Sequence, residues 1–453
     1  MTFSQLRLKH PEFIYDSFSV DREKDQLKIQ FRFRMAPDIL FFPRVNIPWP
    51  ENATEDDLSV FVFNLGLVEL FSYWKSACSP LIRIRAGYLS PDQIGWWKTF
   101  LLQGMGEFFY SNGIDFRAKD FVQFKVESDT AYKPVRKELN DKVLVLVGGG
   151  KDSAVTLELL KRHFSITGLF LNPSQAAQKT LKLSGVDSFL RIKRVIDPTL
   201  LNLNKRGYLN GHTPFSGYLA FLATLVSFGY GCKQVVVSNE RSANEVTTTF
   251  LGKSINHQYS KSGEFERKFR EYVGQYLSNS SYFSLLRPLY ELQIGKLFSQ
   301  FSQYHQVFRS CNVGQKDNRW CGRCSKCLFV YLTLSAFLSK KAVETIFGTN
   351  MLDSGELFSL LLQMVGKDKN KPFECVGTIE ETKIALYLTI EKYLQENLSL
   401  PKLLQLGQKE IIVKEKDWIE RSRRLLRSWD TKNFLPEEFE SVLREVWHER
   451  IIS

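Results

Sequence analysis

The sequence predicts an α/β fold in which a doubly wound, mainly parallel sheet is flanked by an α+β N-terminal domain and a helical C-terminal region. The apolar run at 143–147, VLVLV, is typical of a strand buried on both faces of a parallel sheet. Further strand candidates follow at 166–172, 186–192 and 234–240, and segments with helical periodicity separate them. Strands that alternate with helices predict the doubly wound sheet.

The length and composition indicate several folded domains. A chain of 453 residues is long enough for roughly two to four of them. Hydrophobic residues make up 43% of the chain and include 36 Phe, which excludes global disorder. We place an N-terminal α+β domain at 1–138, the α/β domain at 139–345 and a helical region at 346–453.

The N-terminal domain begins with a predicted β-hairpin. Its strands are FIYDSFSV at 13–20 and LKIQFRFRM at 27–35, which the polar segment DREKDQ separates. Residues 58–77 and 91–109 have helical apolar spacing, with Trp74, Trp96 and Trp97 as anchors. The function of this domain cannot be read from the pattern.

Cysteine usage and the N-terminal sequence predict a cytoplasmic protein. The seven cysteines are too few for a disulfide scaffold, and the first residues lack the pattern of a secretory signal. The uncharged stretch 207–232 contains Pro214, and its compact apolar part, Tyr218 to Phe228, is too short for a membrane span. The net charge of +12 fits either a nucleic acid or an anionic small substrate.

A glycine loop, Gly148 to Ser153 (GGGKDS), follows the 143–147 strand and precedes a helix. Glycines allow close backbone approach, and N–H groups at a helix start favour anions, so the loop predicts a phosphate site. The spacing fits neither a Walker A loop nor a dinucleotide fingerprint. The alternative is a tight turn without a ligand.

The loop resembles the Ser-Gly-Gly-x-Asp-Ser signature of PP-loop ATP pyrophosphatases, with Gly148 at the serine position. The predicted α/β domain would then be a PP-loop domain of the adenine nucleotide alpha hydrolase type. The resemblance implies that Gly148, Gly149, Gly150, Lys151, Asp152 and Ser153 bind ATP. Asp152 would help to hold Mg²⁺ at the pyrophosphate, and Ser153 and the loop N–H groups would hold the phosphates.

Four cysteines, Cys311, Cys321, Cys324 and Cys327, have the spacing of tetrahedral zinc ligands. Four thiolates leave no position for water, which favours a structural Zn²⁺ over a catalytic one. The alternative is a set of buried or redox-active cysteines. A similar knuckle occurs in PP-loop enzymes of the 7-cyano-7-deazaguanine synthase type.

Further strings occur in the order found in one family. They are LNGHTPFSG (209–217), NERSAN (239–244), NHQYSKSGEFER (256–267), YFSLLRPLYEL (282–292), SCN (310–312), RWCGRCSKCLFVYL (319–332) and KPFECVG (371–377). With GGGKDS, they resemble the UDP-N-acetylmuramoyl-L-alanyl-L-glutamate epimerase family of peptidoglycan synthesis, MurL, over about residues 60–390.

The resemblance implies an ATP- and Mg²⁺-dependent inversion of the terminal L-Glu of UDP-MurNAc-L-Ala-L-Glu, with AMP and diphosphate as products. A free carboxylate makes its own α-proton hard to remove, whereas an adenylated carboxylate gives a stabilised enolate. The family also implies functional coupling to a muramoyl ligase that adds L-Glu, and neither a membrane nor a nucleic acid is needed.

Several residues are candidates for proton transfer or substrate binding. His212 lies in a Gly-His-Thr-Pro loop and His257 and Lys261 lie in NHQYSK, where each is either a base or an ordinary loop or anion contact. Cys375 is either a thiol base or a structural cysteine. The substrate-binding candidates, each with an ordinary ion pair as its alternative, are Glu240, Arg241 and Arg287.

Two other functions remain open at this point. One is a different PP-loop reaction, such as tRNA thiolation, lysidine formation or deazaguanine nitrile synthesis. The other is a non-catalytic nucleotide- or RNA-binding module, for which RNA binding would depend steeply on salt.

Overall fold

The computed structural model describes residues 1–50, 58–368 and 370–452; residues 51–57 of the predicted N-terminal domain, Lys369 and Ser453 lie outside the described residues. The strands within these ranges are β1 Glu12–Glu23, β2 Gln26–Met35, β3 Ile39–Phe41, β4 Arg44–Pro48, β5 Leu81–Ile84, β6 Gln123–Val126, β7 Asn140–Leu146, β8 Ile166–Leu171, β9 Phe189–Val195, β10 Cys232–Val237, β11 Thr248–Phe250, β12 Lys253–Ile255 and β13 Ser281–Ser284.

The α-helices in the same ranges are α1 Phe3–Lys9, α2 Ser59–Trp74, α3 Pro91–Gly104, α4 Gly106–Ser111, α5 Lys151–Leu160, α6 Gln175–Ser184, α7 Pro198–Lys205, α8 Phe215–Tyr230, α9 Gly263–Tyr276, α10 Glu291–Ser299, α11 Ser325–Ser335, α12 Lys340–Phe347, α13 Phe358–Met364, α14 Ile379–Gln395, α15 Lys402–Glu410, α16 Trp418–Leu426 and α17 Glu437–Trp447. Two of the 3-10 helices, Arg241–Asn244 and Tyr259–Lys261, carry candidate site residues.

The chain divides into two compact units, each made of separate stretches of sequence. Unit 1 consists of Met1–Leu144, Leu190–Val235 and Thr249–Tyr282. Unit 2 consists of Val145–Phe189, Val236–Thr248 and Phe283–Ser453. The three-part division at 138/139 and 345/346 stays a prediction.

The sheet of unit 1 is built on the N-terminal hairpin. β1 and β2 pair antiparallel from Phe13↔Met35 to Glu23↔Gln26, which confirms the predicted hairpin. The strands continue into the polar 21–26 segment, because the turn itself needs only Lys24 and Asp25, and Lys24 adopts φ 52°. Within this unit the strand order is β9-β4-β2-β1-β5-β6, with β3 also paired to β2.

Helices α2 and α8 supply much of the core of unit 1 and are buried along most of their length. Phe61 of α2 stacks on Phe228 of α8, with ring centroids 4.6 Å apart. The predicted anchor Trp97 is buried, and its Nε1 donates to the hydroxyl of Tyr272 at 2.9 Å. Across the described ranges, none of the helices combines the length and apolar character that a membrane crossing requires.

Unit 2 begins within the predicted strand, at Val145, and contains the glycine loop and the helix that follows it. β7 ends at Leu146 and α5 begins at Lys151, so the loop occupies the interval between them. The Val147 N–H donates to the Leu169 carbonyl at 3.0 Å. The strand order here is β13-β10-β7-β8, and the boundary between the two units passes through β7, β10 and β13. From α11 onward, all regular secondary structure of the described residues is helical. The mixed α/β class is confirmed, and its assignment to the PP-loop fold stays a prediction.

Candidate functional site

The glycine loop combines a tight turn with an open side. Gly149 adopts φ +83°, and a Cβ at this position would lie 2.3 Å from the backbone nitrogen of Ala177 in α6. Only glycine fits there, because a side chain would clash with that helix and strain the backbone. A Cβ at Gly148 would meet nothing within 4 Å, so this side of the loop has room for a ligand.

Hydrogen bonds within unit 2 hold the loop in place. The Gly149 N–H donates to Ser153 Oγ at 3.2 Å, and the Ser153 hydroxyl donates to the Gly150 carbonyl at 3.0 Å. The Arg309 N–H donates to the Gly149 carbonyl at 3.0 Å. The loop conformation is therefore fixed by contacts of its own and by the segment that precedes Cys311.

A hydroxyl that sequence reasoning missed also lies against the loop. Ser310 Oγ is 3.1 Å from the position that a Cβ on Gly150 would occupy. The PP-loop signature has a serine where this chain has Gly148. Ser310 brings a hydroxyl to the same loop from a position that is remote in sequence.

Lys151, the first residue of α5, points into a buried ion-pair cluster. Its side chain is 1% exposed, and Nζ bonds the carboxylates of Asp152 and Glu291. Lys326 Nζ lies 3.5 Å from Oε1, the carboxylate oxygen of Glu291 that Lys151 does not bond. Burial disfavours the ammonium, but attraction by Asp152 and Glu291 outweighs it and raises the pKa of Lys151. Asp152, with a quarter of its side chain exposed, is the loop acid that a ligand can reach.

A buried hydrogen-bond network surrounds Glu291. The Glu291 N–H donates to Ser242 Oγ at 3.0 Å, and the Ser242 hydroxyl donates to Glu381 Oε2 at 2.7 Å. Glu381 also accepts from the N–H groups of Leu292 and Thr378, at 2.9 and 2.7 Å. Burial raises the pKa of Glu381 despite these bonds. The network fixes the start of α10, and hence the carboxylate that holds Lys151.

The three predicted substrate-binding residues lie in unit 2 and differ in access. Glu240 and Arg287 are 2% and 1% exposed, and Arg287 Nη1 donates to the Glu240 carbonyl at 2.7 Å. Arg241 has 28% of its side chain exposed; its Nε lies 3.5 Å from Asp430 Oδ2, and its guanidinium carbon lies 4.4 Å from the centre of the Tyr290 ring. Arg287 thus holds the backbone at Glu240, whereas the side chain of Arg241 is accessible to solvent.

The structure brings the four predicted zinc ligands together. The Sγ atoms of Cys311, Cys321, Cys324 and Cys327 all lie within 4.8 Å of one another. The 311–324 and 321–327 sulfur distances are 4.0 and 3.7 Å, and tetrahedral zinc with Zn–S of about 2.3 Å places sulfurs about 3.8 Å apart. The N–H groups of Gly314 and Cys327 donate to Cys311 and Cys324 sulfurs. This donor set fits a zinc ion.

The cysteine knuckle is connected to the glycine loop within unit 2. α11 begins directly after Cys324, and its second residue is Lys326. Lys326 Nζ contacts Glu291 and also bonds the carbonyl oxygen of Cys375. Glu291 in turn bonds Lys151. The knuckle therefore positions Lys326, whose ammonium contacts the same carboxylate that binds Lys151.

His212 pairs with an acid that sequence reasoning missed. Its Nδ1 lies 3.2 Å from Glu107 Oε2 on α4, and its Nε2 is buried with no hydrogen-bond partner in the described part of the chain. Burial, with the charges of Lys75 and Lys261, lowers the pKa of His212 to about 4. Burial raises the pKa of Glu107 to about 7. A neutral imidazole beside a carboxyl group that titrates near neutrality suits proton transfer.

Two lysines contribute charge next to His212 in unit 1. Lys75 is 8% exposed and its Nζ donates to the Gly211 carbonyl at 2.6 Å. Burial, with the charge of Arg194, lowers the pKa of Lys75 to about 8. Lys261 ends the 3-10 helix Tyr259–Lys261, and the predicted candidate His257, 7% exposed, lies just before it. Unit 1 thus holds His212, His257 and Lys261, while the glycine loop belongs to unit 2.

Glu107 and Lys75 could have been identified from the sequence, whereas the role of Glu291 could not. Glu107 is the only charged residue between Thr99 and Ile114, and Lys75 is one of two in the apolar stretch 58–77. A lone charge in an apolar segment indicates a buried polar role. Glu291 lies 140 residues from Lys151, and no local pattern predicts that pairing.

Family models describe most of the chain. The MurL N-terminal domain matches residues 5–285, and the MurL C-terminal domain matches residues 307–414. No solved structure matches the chain.

Similar curated proteins carry one name, UDP-N-acetyl-alpha-D-muramoyl-L-alanyl-L-glutamate epimerase. The protein from Xanthomonas oryzae pv. oryzae is 35% identical over 331 residues, which cover 71% of this chain and 72% of that protein. The protein from Salinispora tropica is 32% identical over 86% of this chain and 87% of its own length. The protein from a Micromonospora species is 32% identical over 86% and 89%.

Proposed function

The chain belongs to the UDP-N-acetyl-alpha-D-muramoyl-L-alanyl-L-glutamate epimerase (MurL) family, and on this premise we propose that it converts the terminal L-Glu of UDP-MurNAc-L-Ala-L-Glu to D-Glu. It is an isomerase that serves peptidoglycan synthesis. The observation that carries this conclusion is the identity of 32–35% with epimerases over 71–86% of the chain.

The chemical difficulty of the reaction is the acidity of the α-proton. Removing it beside a free carboxylate would place two negative charges on adjacent atoms. We propose that the glutamyl carboxylate first attacks the α-phosphorus of ATP, so that a mixed anhydride forms and diphosphate leaves. The α-proton is then removed from one face, another is delivered to the opposite face, and water cleaves the anhydride to release AMP.

The glycine loop supports the role of ATP-binding site. Gly148 borders open space, and the loop N–H groups lie at the start of α5, where an anion is favoured. The hydroxyl of Ser153 closes the loop, and Ser310 offers a second hydroxyl beside it. We assign the phosphates to this loop and assign Lys151 to holding the loop through Glu291.

Asp152 is the residue that we assign to Mg²⁺. It is a partly exposed carboxylate at the first turn of α5, and carboxylates are ligands that Mg²⁺ prefers. When bound, Mg²⁺ would neutralise charge on the leaving diphosphate. The cysteine knuckle fits a structural Zn²⁺, which would stabilise the segment that carries Ser310 and Lys326.

We assign one proton transfer to the pair of Glu107 and His212. Glu107 is the base in this assignment, because its pKa of about 7 allows it to accept a proton and to release it again at neutral pH. His212 lies 3.2 Å from it and is neutral at that pH, so it orients the carboxylate or relays the proton. Lys261, whose charge acts on His212, is the candidate for the opposite face.

The substrate contacts follow from access and charge. Arg241 is the most exposed of the three predicted residues and is the candidate for binding an anionic group of the substrate. Glu240 and Arg287 support the segment that carries it.

We expect the enzyme to act in the cytoplasm, where ATP is available. Its substrate would be supplied by a ligase that adds L-Glu to the UDP-linked precursor. We expect no nucleic acid to take part.

Chirality of the product tests the proposed function. Purified protein is incubated with UDP-MurNAc-L-Ala-L-Glu, with and without ATP and Mg²⁺, and glutamate is released by hydrolysis and separated by handedness. D-Glu that forms only when ATP is present supports the proposal. A product that stays entirely L-Glu with folded protein would contradict it.

A further inference from the structure

Unit 1 contains a cavity of about 460 Å³ that the proposed mechanism does not use. Its walls come from α3, from Gly106 at the start of α4, from residues 116–119 and from β12. A cavity of this volume is in the range that binds small molecules. The charges and rings of its lining residues indicate the class of ligand that it binds.

The lining is strongly cationic. Lys98, Arg117, Lys119 and Lys253 line the cavity, and no carboxylate does so among the described residues. Arg117 is already paired with Asp115, at 2.7 Å between Nη2 and Oδ2. The three lysines have no carboxylate partner within the ranges that the structure describes, and Lys98 Nζ donates to the backbone carbonyl of Lys119 at 2.8 Å. Three lysines without a carboxylate partner among the described residues thus line the same cavity.

An aromatic ring adds a second kind of recognition. Phe116 lines the cavity and is half-buried. Its ring stacks on Phe109 with centroids 4.7 Å apart and planes 22° apart, which fixes its orientation. Leu102 and Ile255 complete an apolar part of the wall. Cations beside an oriented aromatic ring are the chemistry that binds phosphates together with a stacked base.

The cavity also borders the helix that carries the proposed base. Gly106 forms part of its wall, and Glu107 is the next residue along α4. A substrate whose glutamate reaches Glu107 could therefore place another part of itself in this cavity. We propose that the cavity binds the uridine diphosphate end of the nucleotide-linked peptide, with the diphosphate at Lys98, Lys119 and Lys253 and the base at Phe116. This inference rests on the proposed function.

A nucleoside diphosphate group is also present in ATP, so the two sources of this chemistry must be separated. The glycine loop in unit 2 already offers a phosphate site at the start of a helix. The cavity of unit 1 has its own cations and its own aromatic ring. It is therefore assigned to the uridine nucleotide.

Calorimetric titration with UDP, UMP and ADP tests the assignment on the full chain. UDP should bind more tightly than UMP and ADP, because UMP lacks a phosphate and ADP has a larger base. Lys98→Gln, Lys119→Gln and Lys253→Gln should each weaken UDP binding by about tenfold, since each removes a charge-assisted hydrogen bond. Lys205→Gln, an exposed lysine at the end of α7, is the matched control and should bind UDP like the wild type.

Kinetics separates failure of the pocket from failure of the function. Loss of binding to a non-reacting part of the substrate should raise KM for UDP-MurNAc-L-Ala-L-Glu more than it lowers kcat. If all three lysine variants epimerise the substrate like the wild type, with unchanged UDP affinity and KM, the cavity is not the site for UDP. The proposed function would be unaffected by that result. Equal affinity for ADP, or displacement of UDP by a single-stranded oligonucleotide alone, would also overturn the assignment of the cavity. UDP binding without any epimerisation would instead contradict the proposed function.

Discussion

Lys151 and Glu291 lie 140 residues apart in the sequence and form an ion pair in which each side chain is 1% exposed. Lys151 begins the helix that follows the glycine loop, and Glu291 begins α10. Lys326 of the cysteine knuckle contacts the second oxygen of the same glutamate. The glycine loop, α10 and the knuckle are therefore joined through a single carboxylate in unit 2.

Substitution Glu291→Gln should destabilise the protein. It leaves the buried ammonium of Lys151 with one carboxylate, and breaking a buried pair costs about 3–5 kcal/mol in the free energy of unfolding. Urea unfolding measures the loss. Glu264→Gln, at an exposed glutamate paired with Lys268, is the control and should change stability by less than about 0.5 kcal/mol. Equal stability of wild type and Glu291→Gln would show that the pair does not hold the loop.

Asp152→Asn should stop adenylation without unfolding the chain. The asparagine keeps the shape of the side chain but removes the charge assigned to Mg²⁺, so diphosphate release should fall by about a hundredfold or more. Asp187→Asn, at another exposed acid of unit 2, should release diphosphate at the wild-type rate. All three proteins should be folded by circular dichroism, and the thermal transition of Asp152→Asn alone should be lowered, because the buried ammonium of Lys151 loses one of its two carboxylates. Undiminished release from Asp152→Asn would remove this residue from the ATP site.

Glu107→Gln should separate the two halves of the reaction. Adenylation does not need a proton-transfer base, so AMP formation should persist while exchange of the α-proton falls by about a hundredfold. In the wild type, exchange should increase as the pH rises through about 7, because Glu107 must be ionised to accept a proton. The variant should lose this increase. A variant that exchanges the α-proton with the wild-type pH profile would exclude Glu107 as the base.

The same pair should affect stability in opposite directions as the pH changes. The pKa of Glu107 is raised from 4.5 to about 7, so its contribution to stability is present below pH 4.5 and is lost as the pH rises through 7. The pKa of His212 is lowered from 6.5 to about 4, so its contribution is present above pH 6.5 and is lost as the pH falls through 4.

Glu107→Gln removes the first of these contributions and keeps the second. Relative to the wild type, the free energy of unfolding of the variant should therefore rise between pH 4.5 and 7, which urea titrations at several pH values would detect. A difference between the two proteins that stays constant over this range would mean that the carboxyl group does not titrate there.

The cysteine knuckle should bind one zinc ion per chain. Elemental analysis of purified protein should find this stoichiometry, and Cys324→Ser should lower both the zinc content and the thermal stability, because zinc binding contributes to folding. Cys375→Ser is the matched control, since its sulfur is not part of the cluster. Wild-type protein that is stable and free of zinc after purification with zinc present would reject the metal site.

The sequence predicted the local elements of the fold better than the contacts between them. The run at 143–147 and the glycines after it predict a strand, a loop and a helix, because hydrophobic periodicity and backbone freedom are local properties. The cysteine spacing predicted the ligand cluster for the same reason. Gly149 could be identified as a tight turn, although the clash with Ala177 that requires glycine is visible only in three dimensions.

Residues that act through partners remote in sequence could not be found in this way. Lys151 was assigned to ATP, and its pairing with Glu291 depends on how α5 and α10 pack. Glu107 and His212 are 105 residues apart and meet because the loop before α8 lies against α4. Interleaving of the stretches 190–235 and 249–282 with the first 144 residues in unit 1 likewise has no local signature.

Incorporation of solvent hydrogen at the glutamyl α-carbon distinguishes adenylation followed by proton exchange from other routes of inversion. The protein is incubated in D₂O with UDP-MurNAc-L-Ala-L-Glu, ATP and Mg²⁺, and nucleotide products, α-deuterium and chirality are followed in the same sample. We predict AMP, diphosphate and D-Glu that carries one deuterium at the α-carbon. Release of ADP, or inversion without deuterium at that carbon, would contradict adenylation followed by proton exchange.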